Sequence, residues 1–394
     1  MAKAEGRPER PPAARTGCHT ISAPPNSPDP SRCHAQSAAD SKQTPLARAL
    51  ISRAGRERLS NMNSCIRLAG MWCLWTAVAF GQGDHPVGNI FNPQATPAES
   101  IAHLSVLVLS VCGAIFLIVG GLLAFTLVRF RDRGNDGHEP AQVYGSNRIE
   151  VAWTVIPFLI VFVLSMATAR VVIAIQNKAV PPHALQVTVI GHQWWWEIRY
   201  PELAIVTANE LHIPVSSLAK PAPAFLKLQS ADVAHSFWVP QLAGKTDLIP
   251  NRTNTMWIDP RQTGTFLGNC AEYCGTQHAN MLLRVVVQPE AEFNSWVAAE
   301  KAIAVDSGAA LFFSLSCVNC HAVSGTSATG TFGPDLSHLM SRATLGSGAI
   351  ANTPETLRAW VKDPQAIKPG NLMPNMQLNV RELDAVVSYL SSLK

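Results

Sequence analysis

The chain has 394 residues, enough for two or three domains, with 47% hydrophobic and only 15% charged residues, so part of its apolar surface is available to lipid. The formal charge of +4 is carried by residues 1–61, which hold ten Lys and Arg against five Asp and Glu; the remainder is close to −1. That remainder has no basic stripe suited to nucleic acid, which excludes a nucleic-acid partner.

Residues 1–61 contain eight prolines and no apolar periodicity. Such a stretch cannot bury enough surface to offset chain entropy, so it reads as a disordered leader. MNSCIR, LAGMWCLWTAVAF and Ala79-Phe80-Gly81 then supply the charged, apolar and small-residue regions of a signal peptide over 62–81. A signal there points to translation starting at Met62, with 1–61 a mis-assigned start. The alternative for this apolar stretch is a third membrane helix.

Residues 82–102 are expected as a periplasmic N-terminal segment. HLSVLVLSVCGAIFLIVGGLLAFTLV, 103–128, is long and apolar enough to cross the hydrocarbon. A second span follows over 151–175. The loop between them, 129–150, carries four arginines, which places it in the cytoplasm and both flanks of the hairpin outside. The rival reading is two buried helices of a soluble core.

Over 184–289 the chain changes to short segments rich in β-branched and aromatic residues, separated by Pro, Gly, Asn and Asp. This is the pattern of a Greek-key sandwich or barrel. Trp194, Trp195 and Trp196 read as part of one strand, with period two putting Trp194 and Trp196 on one face and Trp195 on the other. A helical connector is expected over 290–305. From 306 to 394 the order is helix, glycine-rich loop and final helix, in which Leu383, Val386, Val387, Leu390 and Leu393 share a face.

Of nine cysteines, Cys18, Cys33, Cys65, Cys73 and Cys112 fall in the leader, the signal or a span. Cys270, Cys274, Cys317 and Cys320 remain for an exported domain. Two disulfides are permitted there, but the neighbours of each pair point elsewhere. CVNCH at 317–321 has the C-x-x-C-H spacing of covalent c-type haem, with Cys317 and Cys320 as thioether attachments and His321 on the iron. A thioredoxin-like dithiol is the rival, and no βαβ pattern surrounds the motif. Downstream, KPGNLMP carries Met373 on a proline-rich loop. We take Met373 as the sixth ligand, with Met376 as its competitor. A Met/His pair raises the haem potential and suits electron transfer.

CAEYCGTQHANM at 270–281 gathers two cysteines, an acid, a histidine and a methionine. Zinc would use the cysteines and His278 but gain little from Met281. Thiolate and thioether are soft ligands that select copper, and imidazole suits it too. Mononuclear blue copper uses one cysteine; two on one loop can bridge a pair of coppers, with His235 in DVAHSFWVP as the second terminal histidine. Asp232 and Asp247 read as turn residues, and His192, His212 and His338 as ordinary histidines.

The C-terminal segment resembles a class I cytochrome c. The loop C-A-E-Y-C-G-T-Q-H-A-N-M resembles the copper A loop of cytochrome c oxidase subunit II. DVAHSFWVPQL, GKTDLIPNR, GHQWWWEIRYP and EVAWTVIP resemble further segments of that family, and the fused cytochrome resembles its caa type. The resemblance implies Cys270 and Cys274 as bridging thiolates, His235 and His278 as terminal ligands, Met281 as a weak axial ligand and Glu272 as a backbone-carbonyl ligand of a binuclear copper A centre. It also implies a magnesium shared with subunit I at the Glu272 carboxylate, Trp194 where electrons enter, and Glu150 at the mouth of a proton pathway. Subunits I and III, a lipid bilayer and an external cytochrome c or preceding respiratory complex are the implied partners. The implied location is the bacterial inner membrane.

Between 184 and 290 eight acids face seven bases, so strong steering of a basic partner is not indicated. A tethered cytochrome lessens the need for it, because the linker supplies a high effective concentration. Three other classes fit the sequence less well. A membrane-anchored electron carrier would need no particular residues at Glu150 and Trp153. A nitrous oxide reductase would need a histidine-rich catalytic domain. A quinol oxidase subunit lacks the copper ligands that are intact here.

Overall fold

The computed structural model describes residues 88–131, 142, 145–176, 184–217, 219–303 and 310–394. The leader, the signal and most of the inter-span loop lie outside the described residues.

Helices α1 (Thr96–Arg129) and α2 (Asn147–Gln176) are long and apolar enough to cross a membrane, and their apolar windows are unburied. The first helix starts well before the expected apolar span. Pro97 fits its first turn, where the missing N–H is not needed, and nothing between Pro97 and His103 breaks a helix. The β-domain anchors this extension: Thr96 N and Oγ1 donate to Asp259, Arg261 donates to Glu99, and Ala98 and Ala102 are buried. At the far end of α2, Trp257 Nε1 donates to the Ile175 carbonyl at 2.8 Å.

The β-domain comprises β1 (Leu185–His192), β2 (Trp195–Tyr200), β3 (Ile205–Ala208), β4 (Glu210–Pro214), β5 (Ala224–Ser230), β6 (His235–Trp238), β7 (Thr246–Leu248), β8 (Asn254–Ile258), β9 (Gly264–Cys270) and β10 (Leu282–Gln288). They form two five-stranded sheets, β3-β2-β1-β5-β8 and β4-β10-β9-β6-β7. Pairing is antiparallel except for β1 with β5 and β4 with β10. Alternating residues such as Val187, Val189, Leu226, Leu228, Leu283 and Val285 fill the core between the sheets.

The tryptophan run is not one strand. β1 ends at His192 and β2 begins at Trp195, so Gln193 and Trp194 form the turn of a tight hairpin in which His192 pairs with Trp195. Local alternation does not apply across a reversal. Trp196 is fully buried, Trp194 is 8% exposed, and Trp195 stacks on His192 with ring centroids 4.2 Å apart.

Helix α3 (Glu290–Glu300) packs Trp296 on the β-domain, stacked on His212, and buries Phe293 beside it. The C-terminal domain holds α4 (Ala310–Ser314), a β11–β12 ribbon (Thr344–Leu345, Ile350–Ala351), α5 (Pro354–Lys362), α6 (Pro364–Ile367) and α7 (Val380–Ser392). Thr353 and Asn379 form capping boxes that start α5 and α7. The final helix buries Leu383, Val386 and Leu390 as its spacing predicts, Leu393 is buried just beyond its end, and Val387 is half-buried. Tyr389 is also buried, against Phe312.

Candidate metal centres

The loop that carries the cysteines closes on itself. β9 and β10 are antiparallel with Asn269 opposite Leu282, and Cys270 N donates to the Met281 carbonyl at 2.9 Å. The eleven residues 271–281 therefore return to their starting point, and a short 3₁₀ turn over His278–Asn280 folds the far side inward. β6 runs beside β9, with Phe237 opposite Cys270. This brings His235 to the same end of the sheet.

The donor atoms converge. The ligating atoms of His235, Cys270 and Cys274 lie within 4.8 Å of one another, and all three residues are buried. The two Sγ atoms are 3.8 Å apart. His235 Nδ1 is 3.9 Å from Cys270 Sγ, His278 Nδ1 is 3.6 Å from Cys274 Sγ, and Met281 Sδ is 3.8 Å from Cys274 Sγ. The Glu272 carbonyl is 3.2 Å from Cys270 Sγ, while its side chain is exposed. Two soft thiolates in the middle, one imidazole on each and a thioether on one side form a set that fits a pair of copper ions better than zinc.

The electrostatics match. The contact between the two sulfurs lowers the pKa of the Cys270 thiol against the effect of burial, and the same contact together with burial pushes Cys274 up. Burial disfavours a charged His235, but Asp232 and Cys270 outweigh it and raise the imidazole.

Asp232, expected as a turn residue, is part of this centre. Its Oδ1 accepts from His235 Nε2 at 2.7 Å and from Val233 N at 2.6 Å, and its Oδ2 accepts from Gln193 N at 2.6 Å. With the proton on Nε2 directed at the carboxylate, His235 turns Nδ1 toward the sulfurs. The Asp-x-x-His spacing was the available signal. Gly191 is the other missed residue: a Cβ there would stand 2.8 Å from His235 Cδ2. Asp247 pairs with Ser236 across β6 and β7.

In the C-terminal domain α4 leads into a 3₁₀ turn over Ser316–Asn319, and His321 N donates to the Cys317 carbonyl at 3.0 Å. His321 Nδ1 donates to the Pro334 carbonyl at 2.7 Å, which leaves Nε2 available to a metal. Burial lowers the pKa of this histidine and keeps the ring neutral, as an iron ligand must be. Gly333 is required by the close approach of that ring, since a Cβ would lie 2.5 Å from His321 Cε1. Cys317, Cys320, His321, Met373 and Met376 all line one large apolar cavity. A neutral imidazole, two thiols and two thioether candidates around an apolar space fit a c-type haem. Both methionines are half-buried; the backbone of Met373 is the more tightly held, by Gln365 and Asn371.

Trp194 joins the two sites. Its Nε1 donates to the Cys274 carbonyl at 3.0 Å, as does Gln193 Nε2 at 2.7 Å, and Trp194 and Trp195 line the haem cavity from the β-domain side. Glu150 stands apart, exposed in the first turn of α2. It is about 38 Å along that helix from Ile175, which meets the β-domain. Three other histidines have partners of their own: His192 with Glu197, His212 with Gln288, and His338 with the Lys394 carbonyl.

The family model for the transmembrane domain of cytochrome c oxidase subunit II matches residues 85–171, that for its periplasmic domain matches 185–289, and the cytochrome c model matches 305–394. A cytochrome c oxidase subunit 2 from Alkalihalophilus pseudofirmus is 31% identical over 315 residues, covering 77% of this chain and 90% of that protein. The chain belongs to the cytochrome c oxidase subunit 2 family. A second member, from Bacillus sp. PS3, is 33% identical over 289 residues, covering 67% of this chain and 79% of its own. The solved periplasmic domain of subunit II from Bradyrhizobium japonicum is 32% identical and covers 31% of this chain and 97% of that one, with a TM-score of 0.29. The family's periplasmic domain implies copper A and the cytochrome c domain implies haem; the donor sets described above fit both. The fused C-terminal cytochrome corresponds to the caa arrangement within the family.

Proposed function

We propose that this chain is the electron-transferring subunit II of a respiratory terminal oxidase, carrying electrons from a c-type haem by way of copper A to subunit I, where oxygen is reduced to water with coupled proton translocation. It would span the bacterial inner membrane twice, with both metal domains on the outer side, beside subunits I and III. An external cytochrome c or a preceding respiratory complex would supply the electrons.

A copper pair bound here would supply a shared one-electron store. His235, Cys270, Glu272, Cys274, His278 and Met281 would hold it, with Asp232 setting the orientation of His235. Cys317 and Cys320 would attach the haem, and His321 and Met373 would hold its iron. The exposed Glu272 carboxylate is free to face a magnesium shared with subunit I. Glu150, exposed at the opposite end of α2, would serve proton uptake.

One observation carries this reading: Trp194 hydrogen-bonds the copper loop at Cys274 and at the same time walls the haem cavity. The test is to solubilise membranes containing the full chain gently and count copper per covalent haem, with the electron paramagnetic resonance spectrum and the co-purifying subunits. Two coppers sharing one unpaired electron, together with a large haem-bearing subunit, are expected. A single localised copper, or no such partner, would refute it.

A further inference from the structure

Lys368 is a buried charge whose ammonium is held by backbone carbonyls. It is 3% exposed and lies at the end of α6, five residues before Met373. Its Nζ donates to three backbone carbonyls: Trp194 at 2.9 Å, Asn280 at 2.9 Å and Gly346 at 2.8 Å. Two of these belong to the copper domain. One is the turn whose indole holds Cys274; the other immediately precedes Met281. Burial pushes the Lys368 ammonium down to about 7. The three carbonyls favour the opposite, because only the ammonium has a proton for each of them.

Other contacts fix the same pose. The Leu282 amide donates to the Ser347 carbonyl at 3.1 Å, and Ser347 Oγ returns a bond to the Leu282 carbonyl at 2.7 Å. Buried Glu210 accepts from the Ala343 and Thr344 amides at 2.8 and 3.3 Å. Arg284 donates to Thr344 Oγ1, and Gln277 to the Pro369 carbonyl.

We propose that Lys368 is a positioning residue that pins the tethered haem domain onto the Trp194 turn and the copper loop, so that Trp194 is served by this haem alone. The inference rests on the electron path proposed above. In this pose Trp194 is 8% exposed, its carbonyl is held by Lys368 and its ring borders the haem cavity. A soluble donor therefore meets the haem domain and not the tryptophan. No other side chain can replace three N–H groups at one point on a flexible stem, and an apolar replacement would leave three inward-facing carbonyls without a donor.

The test uses the intact oxidase, as wild type, K368M and E210A. It measures haem-to-copper electron transfer after rapid photoreduction and the hydrogen exchange of the Leu282 and Thr344 amides. K368M is expected to keep the spectra of both centres, slow the transfer about 10- to 100-fold through misplacement of the haem domain, and expose those amides to faster exchange. E210A loosens the opposite edge and should act in the same direction if K368M fails to mature its haem. Unchanged transfer and exchange in K368M, or in E210A where K368M does not mature, would overturn the inference. Absence of haem-to-copper transfer in the wild type would instead overturn the proposed electron path.

Discussion

Asp232→Asn keeps the size of a side chain and changes only which atoms accept protons. The aspartate takes three hydrogen bonds: Val233 N and His235 Nε2 on one oxygen, and Gln193 N on the other. An asparagine must present its NH2 group to one of these two sides. Facing Gln193 N it sets donor against donor at a separation of 2.6 Å. Facing His235 it donates to Nε2, which moves the imidazole proton to Nδ1 and aims it at Cys270 Sγ, 3.9 Å away. The first choice loosens the Trp194 turn; the second gives the wrong tautomer for a ligand. Loss of such an outer partner typically lowers metal affinity about 10- to 100-fold, which is about 1.4–2.7 kcal/mol. That agrees with a charge-assisted hydrogen bond of about 1.5–3 kcal/mol. The assay is copper competition against a chelator of known affinity, with the haem spectrum as an internal concentration standard. Copper affinity within twofold of wild type would refute the argument that Asp232 sets the tautomer of His235.

Gly333→Ala should abolish the low-spin haem spectrum while leaving the copper signal intact, because the added Cβ occupies the place of the His321 ring; a normal haem spectrum would show that the ring can move aside. Met373→Ala should remove the methionine-to-iron absorption band and lower the haem potential, whereas Met376→Ala should preserve both. The reverse pattern would transfer the ligand to Met376. Trp194→Ala should slow haem-to-copper transfer with two coppers still bound, as measured by rapid photoreduction and metal analysis. An unchanged rate would leave that tryptophan a packing residue.

Much of the site was legible because its chemistry is written locally. C-x-x-C-H and the copper loop each place several ligands within a dozen residues, and a short closed loop can bring them together with little help from elsewhere. Asp232 and Lys368 escaped notice for the opposite reason. Asp232 differs from any turn aspartate only in what lies across from it, and a lysine before a proline-glycine pair looks like a solvated loop residue until two domains close over it.

The sequence by itself determined the order of modules, the two apolar helices, the alternating strands and the identity of the candidate donor side chains, since these depend on residue type and short-range spacing. Only the tertiary structure decided that Trp194 sits in a turn and not along a strand. It alone set His235 beside Cys270 across neighbouring strands, extended α1 onto the β-domain and laid the haem cavity against the copper loop. Each of these depends on the pairing of segments far apart in the chain. Such pairing is chosen by the whole packed core and by buried hydrogen bonds that no local window contains.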